Sequence, residues 1–152
     1  MTSVLFVCLG NICRSPMAEA VLGHLISSRA DTDAWRIDSA GTGAWHVGSE
    51  PHASTVAVCQ RRGVPIRHRG RQLTGSDFTR FDHVLAMDKQ NLHDLALVRP
   101  AEATARIALI GSFDPLGESE VPDPYHSRDT AAYEAVFEQL ERCCRAFLAS
   151  LR

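Results

Sequence analysis

Between Val7 and Pro16 the chain reads Cys8-Leu9-Gly10-Asn11-Ile12-Cys13-Arg14-Ser15, and no other stretch narrows the fold as far. An apolar run, Val4-Leu5-Phe6-Val7, leads into it, and a helix-like stretch, Pro16-Met17-Ala18-Glu19, follows. A tight loop between a buried strand and a helix N-terminus turns its backbone N–H groups inward, and the helix end adds partial positive charge. Such a loop cradles a phosphoryl group. Arg14 adds a planar fork of donors that matches two phosphoryl oxygens. The same field favours a thiolate at Cys8, so a nucleophile and its substrate's charge share one site. A cysteine at a strand end is often only interior packing. The arginine, the serine after it and the strand–loop–helix setting favour the phosphate reading.

The rest of the chain alternates strands with helices. Val4 to Cys8 reads as a buried strand. Ser15 is a candidate N-cap with Pro16 at the first helical position, and Met17, Ala18, Val21, Leu22, Leu25 and Ile26 share one face. Trp35–Ala40 is a second strand, closed by Gly41-Thr42-Gly43, and 44–51 reads as an irregular loop. A helix over His52–Arg62 ends at Gly63, with Pro65 barring continuation. Residues 67–74 are basic and irregular, and a short helix starts near Asp77. His83–Met87 is a third strand with a helix from Asp88, and Ala105–Gly111 is a fourth. Phe113–His126 is rich in Pro, Gly and Asp and reads as a long exposed loop. The last helix spans Arg128–Leu151, with an apolar stripe from Tyr133 through Leu140, Cys143, Cys144 and Phe147 to Leu151.

This pattern predicts an α/β fold with a parallel sheet covered on both faces. Ligands in such folds sit beyond the C-terminal strand ends. Cys8, Asp88 and the Phe113–His126 loop all lie at such ends, so three separate regions converge on one edge. The 152 residues fit a single domain, 1–152. A net charge of −2 offers no basic field for nucleic acid. No apolar run would span a membrane, and the N-terminus does not read as a signal peptide. Five scattered cysteines form no disulfide framework and no zinc-ligand spacing, which fits a reducing compartment and predicts a cytoplasmic location.

Cleaving a phosphate monoester through cysteine needs an in-line thiolate, donors for the equatorial oxygens and an acid for the leaving oxygen. Cys8, Arg14 and the loop N–H groups supply the first two. Val121-Pro122-Asp123-Pro124-Tyr125-His126 offers the acid, because two prolines hold Asp123 in a stiff segment beside two rings. An Asp-Pro pair more often only begins a turn, but the Cys8 loop favours the acid.

Cys8–Ser15 followed by Pro-Met-Ala-Glu, with Asp123-Pro-Tyr in the C-terminal third, closely resembles the low-molecular-weight protein tyrosine phosphatases. The resemblance covers nearly the whole chain, including Asp38-Ser39-Ala40-Gly41-Thr42-Gly43, Trp45-His46-Val47-Gly48, Ala86-Met87-Asp88 and Cys143-Cys144-Arg145-Ala146-Phe147-Leu148. It implies a four-stranded parallel sheet in a flavodoxin-like, three-layer architecture. It also implies hydrolysis of phosphotyrosine in proteins or peptides through phosphocysteine, with no metal or cofactor. Cys8 would be the nucleophile, Arg14 the phosphate clamp, and Asp123 the acid and then the base. Ser15 would hydrogen-bond the sulfur, Asn11 and Ser39 would shape the loop, Asp88 would orient Arg14, and Glu19 would pair with His68. Inorganic phosphate or another oxyanion would occupy the loop, and a monomer is expected. His126 departs from the second Tyr that many members carry, which bears on substrate preference and regulation rather than on the chemistry.

Other residues carry two readings each. Trp45 is either a wall of the substrate slot or a loop anchor, and Leu9, Gly10, Asn11, Ile12, Cys13, Tyr125 and His126 are further substrate-binding candidates. The basic run around His68 reads more readily as a solvated face. Cys59, Cys143 and Cys144 read as packing, whereas Cys13 shares a loop with Cys8 and could trap it as a disulfide after oxidation. Arsenate reduction on the same scaffold would need relay cysteines, and the stretch 75–95 has none. In related arginine phosphatases Thr tends to stand where this chain has Ile12, and Ile suits an aromatic ring better. A redox-sensing phosphate-binding module is the non-enzyme alternative, disfavoured by the pairing of Cys8 with Asp123.

Overall fold

The computed structural model describes residues 1–151. Four parallel strands, β1 (Thr2–Cys8), β2 (Trp35–Gly41), β3 (His83–Ala86) and β4 (Arg106–Leu109), form one sheet in the order β2-β1-β3-β4. The continuous apolar run of β1 follows from its central place. Val4 and Phe6 point into one core, Leu5 and Val7 into the other. The first core is closed by α1 (Arg14–Ile26), α2 (Ala53–Arg61) and α5 (Thr130–Ser150), through Leu22, Val58, Phe137, Leu140 and Phe147 among others. The second is closed by the short α3 (Asp77–Arg80) and by α4 (Lys89–Val98), through Phe78 and Leu95. The fold is therefore three-layered. The chain reverses direction across the sheet between β1 and β3, and a crevice opens there beyond the strand ends.

Local chemistry sets the element ends. His52 Nδ1 accepts the Ser54 N–H at 3.1 Å and starts α2, and Gly63 at φ 69° ends it. Asp88 and Asn91 form a capping box at α4, each side chain accepting the other's backbone N–H. Asp129 caps α5 by accepting from Ala131 N–H at 2.9 Å. The segment that carries Asp123 is tied down at several points. Asp114 takes two hydrogen bonds from Arg142, Gln139 Nε2 donates to the carbonyls of Glu118 and Glu120, and Val121 N–H donates to Met87 O at 2.8 Å. Gly111 is required beneath it, because a Cβ there would sit 2.2 Å from the Ser119 carbonyl oxygen.

Four expectations are corrected. Ser15 does not cap α1 and Pro16 is its third residue, not its first; the helix has begun at Arg14, Cys13 holds the cap position without a side-chain bond, and the Ser15 hydroxyl turns inward. The fourth strand stops at Leu109, because a 3-10 turn over Ile110–Phe113 redirects the chain. Leu151 is exposed at the end of α5, past the last turn that reaches the core. The basic run is not simply a solvated face. The His68 side chain is largely buried, and Arg71 is held between Asp38 and the fully buried Asp77.

Candidate active site

The loop after β1 is held in shape by one asparagine. Asn11 has φ 57°, a left-handed conformation that Asn tolerates better than most residues. Its Nδ2 donates to Ser15 Oγ at 2.9 Å and to Ser39 Oγ at 3.0 Å. Its Oδ1 accepts the Arg71 N–H at 3.0 Å and lies 2.7 Å from His68 Nε2. Ser39 Oγ donates to Glu19 Oε1 at 2.6 Å, and His68 Nδ1 lies 3.0 Å from the same oxygen. Glu19, Asp38 and His68 have the types and proximity of a metal cluster. Their lone pairs are already engaged by Ser39, His68 and Arg71, so the cluster reads as the frame beneath the loop.

Cys8 lies at the floor of the crevice. Its sulfur accepts the Asn11 N–H at 3.2 Å and lies 2.9 Å from Ser15 Oγ. Both are hydrogen bonds that favour negative charge on sulfur when the hydroxyl donates. Arg14 is buried and tethered on one side, where Nη1 donates to Asp88 Oδ2 at 2.6 Å and to Val121 O at 2.9 Å. Its Nη2 lies 3.6 Å from Asp123 Oδ2. Asp123 is half-exposed at the mouth, and its Oδ1 accepts the Tyr125 N–H at 3.1 Å. The Asp123 carboxyl and the clamped guanidinium of Arg14 thus line one cavity with Cys8.

The cavity above Cys8 encloses about 150 Å³. Cys8, Gly10, Cys13 and Arg14 make its base, and Leu9, Ile12, Trp45, Tyr125 and His126 make its walls with Asp123. Trp45 is an exposed wall, not a buried anchor; its ring lies over Gly43, where a Cβ would come within 1.8 Å of it. Of the residues singled out in the sequence, Asn11, Ser15, Glu19, Ser39, His68 and Asp88 stand behind the cavity and do not line it. Cys13 is buried with its sulfur 3.9 Å from Tyr133 OH, and burial pushes its thiol up to about 12. Burial likewise raises Cys59 to about 11 and Cys143 to about 12, and shifts Cys144 upward. These three belong to the core.

Four groups at the site escaped the sequence reading. His46 lines the cavity and tilts against Tyr125 at 6.1 Å between ring centroids. The His52 ring sits between Tyr125 and Tyr133, and its backbone N–H donates to Ile12 O at 2.8 Å. Arg71 and the Val121 carbonyl hold Asn11 and Arg14. His46 adjoins Trp45 in sequence, which was a usable signal; the other three had none.

A sequence profile of the family described as Low molecular weight phosphotyrosine protein phosphatase matches residues 3–152. A protein of that description from Sus scrofa is 45% identical over 152 residues, spanning 99% of this chain and 96% of its own. One from Homo sapiens is 45% identical over 148 residues, spanning 96% and 93%. Among solved structures, a protein tyrosine phosphatase from Entamoeba histolytica with Hepes in the active site superposes with a TM-score of 0.94 at 35% identity, covering 99% of this chain and 97% of its own. The Drosophila arginine phosphatase superposes with a TM-score of 0.91 at 38% identity, covering 100% and 98%.

Proposed function

The chain belongs to the low molecular weight phosphotyrosine protein phosphatase family, and on that premise we propose that Cys8, Arg14, Ser15 and Asp123 carry the hydrolysis of phosphotyrosine in proteins or peptides. One observation carries the assignment: a sulfur with two hydrogen-bonding partners lies at the base of a cavity that Arg14 and Asp123 also line. The phosphoryl group sits in the loop, against the N–H groups and the Nη2 edge of Arg14 that faces Asp123. The Cys8 thiolate attacks phosphorus in line as Asp123 protonates the departing phenolate oxygen. Asp123, now a carboxylate, takes a proton from water, which attacks the phosphocysteine and releases inorganic phosphate. The Ser15 hydroxyl stabilises sulfur as it leaves.

Aromatic preference rests on the walls. A phosphotyrosine reaches the base of the slot, whereas a serine side chain is too short to bring its phosphate there. The likeness to an arginine phosphatase supports a second reading, phosphoarginine. Ile12 disfavours it, since an apolar side chain at the cavity offers a guanidinium no acceptor.

The finer expectations extend the same proposal. Five free, buried cysteines support a cytoplasmic, reducing location. Among the described residues no helix is long and apolar enough to cross a membrane. The enzyme acts as a monomer and as one domain, and Cys13 protects Cys8 from irreversible oxidation.

The test is a panel of phosphotyrosine, phosphoserine and phosphoarginine peptides with EDTA present, run on wild type and Cys8→Ser. Turnover confined to phosphotyrosine and lost in a folded serine variant is expected. Substantial hydrolysis by that variant removes Cys8 from the nucleophile role; comparable kcat/KM on the other peptides removes the substrate assignment.

A further inference from the structure

Beside the catalytic cavity runs a second groove of about 320 Å³. Leu9 and Trp45 line both, so the groove continues the mouth of the cavity. Its far wall is the end of α4, where Leu97 is 72% exposed and Val98 56% exposed. Neither residue belongs to the two cores. Asn91 and Leu95 form the buried face of α4, and Leu97 and Val98 lie off it just before the helix stops at Arg99. Leu9 and Trp45 are exposed as well, at 43% and 74%. Four large apolar side chains thus face water around one groove, a concentration that marks a binding surface. Asp94 is the one charged residue among those lining it.

We propose that this groove binds the polypeptide segment flanking the phosphotyrosine, and selects substrates with an apolar side chain near it. The proposal rests on the phosphotyrosine reading and deepens it. A phosphotyrosine seated over Cys8 is tethered to a chain that must leave the mouth, and the Leu9–Trp45 side leads into the groove. Because Leu9 and Trp45 line both, the groove falls to the residues that closely flank the phosphotyrosine. Asp94 repels an acidic neighbour at those positions, so the preferred flank is apolar and not acidic. Continuity with the catalytic cavity favours a substrate segment over a second copy of the chain.

The experiment measures kcat/KM on phosphotyrosine peptides carrying Leu or Glu, one position at a time, at the three residues on either side. Wild type is compared with Leu97→Ser/Val98→Ser, with free O-phosphotyrosine as the unflanked control and sedimentation as the measure of assembly. Wild type should prefer Leu over Glu about tenfold at one or more positions, ~1.4 kcal/mol. The double variant should reduce that to about twofold or less, while turning over free O-phosphotyrosine as wild type does. A variant that keeps the full preference, or a wild type with none, overturns the groove assignment. A wild-type dimer that the variant dissociates, with peptide preference unchanged, also overturns it and makes the groove a self-contact. If wild type fails on free O-phosphotyrosine, the underlying activity falls, and the groove assignment with it.

Discussion

Arg14 Nη1 donates to Asp88 Oδ2 at 2.6 Å, and the other oxygen of that carboxylate accepts the Asn91 N–H at 2.8 Å to start α4. One side chain thus orients the phosphate clamp and caps a helix. An amide cannot do both, because its single oxygen serves either the cap or the guanidinium, leaving its NH2 facing a donor. Asp88→Asn should therefore lose about 1 kcal/mol of stability or misorient Arg14. Asp88→Ser separates the roles. A short hydroxyl still caps the helix, so stability stays near wild type, while kcat/KM falls about 10- to 100-fold from a misplaced clamp. Thermal denaturation and steady-state kinetics read the two effects. Full activity in the serine variant would show that Val121 O alone positions Arg14.

Replacing Asp123 by Ala should slow cleavage of a poor leaving group by about 10²–10⁴-fold. The loss should shrink for an activated aryl phosphate, whose leaving oxygen needs no proton. Arg14, whose Nη2 lies 3.6 Å away, stays in place because its Nη1 keeps the bonds to Asp88 Oδ2 and Val121 O. Equal single-turnover losses across leaving groups of different basicity would make Asp123 a structural residue of its loop.

Much of this arrangement was legible because it is local. The apolar run of β1, the loop after it and Pro16 just inside α1 lie within a few residues of one another, and each follows from its own periodicity or backbone preference. Convergence of Cys8, Asp88 and Asp123 followed from the parallel topology alone. What failed was non-local. Local preference makes Ser15 a cap, the commonest use of serine near a helix start; its bond to Cys8, which only the family resemblance implies, depends on how the loop closes. The burial of His68 and Arg71 depends on partners more than thirty positions away, Glu19, Asp38 and Asn11. No local signal reports such pairing. The exposure of Leu97 and Val98 is the opposite case, apolar residues left largely in water at the end of α4.

The Arg71–Asp77 pair sets an acid limit on stability. Burial alone would raise the Asp77 carboxyl, but two hydrogen bonds from Arg71 and those from Thr74 outweigh it, and the net shift is downward. A carboxylate depressed in the folded state stabilises fully above its unfolded value of about 3.9, and the contribution is lost as pH falls through the folded value. Wild type and Asp77→Asn should therefore differ most in Tm near pH 7 and begin to converge only as pH falls below about 4. Parallel Tm curves across that range would show that the charge of Asp77 is not what Arg71 recognises.

Gly43 gives access to the role of Trp45 without touching the indole. A Cβ at this position would meet the ring at 1.8 Å, so Gly43→Ala must swing Trp45 away from its present wall. KM for an aryl phosphate should rise about three- to tenfold, in line with losing an aromatic contact of roughly 0.5–1.5 kcal/mol. Gly75→Ala is the control, since nothing lies within 4 Å of a Cβ there. An altered tryptophan fluorescence with unchanged KM would remove Trp45 from the substrate slot.

Peroxide should inactivate the enzyme reversibly through Cys13. Peroxide oxidises the Cys8 thiolate to a sulfenic acid; the Cys13 sulfur then attacks it, forming the disulfide and expelling the oxygen as water. The surroundings of Cys13 make the second step the slow one. Its thiol is buried against Tyr133 and raised to about 12, so little thiolate is present at neutral pH. Trapping should accelerate as pH rises from 7 to 9, by up to about tenfold per unit while the thiolate fraction limits the rate. The check is peroxide treatment at each pH, mass spectrometry for the Cys8–Cys13 peptide, and recovery of activity with dithiothreitol. Cys13→Ser should recover poorly, because the sulfenic acid proceeds to sulfinic acid without a trap. Equal recovery of the variant, with no linked peptide in wild type, would leave Cys13 as packing beneath the loop, and catalysis through Cys8 would stand unchanged.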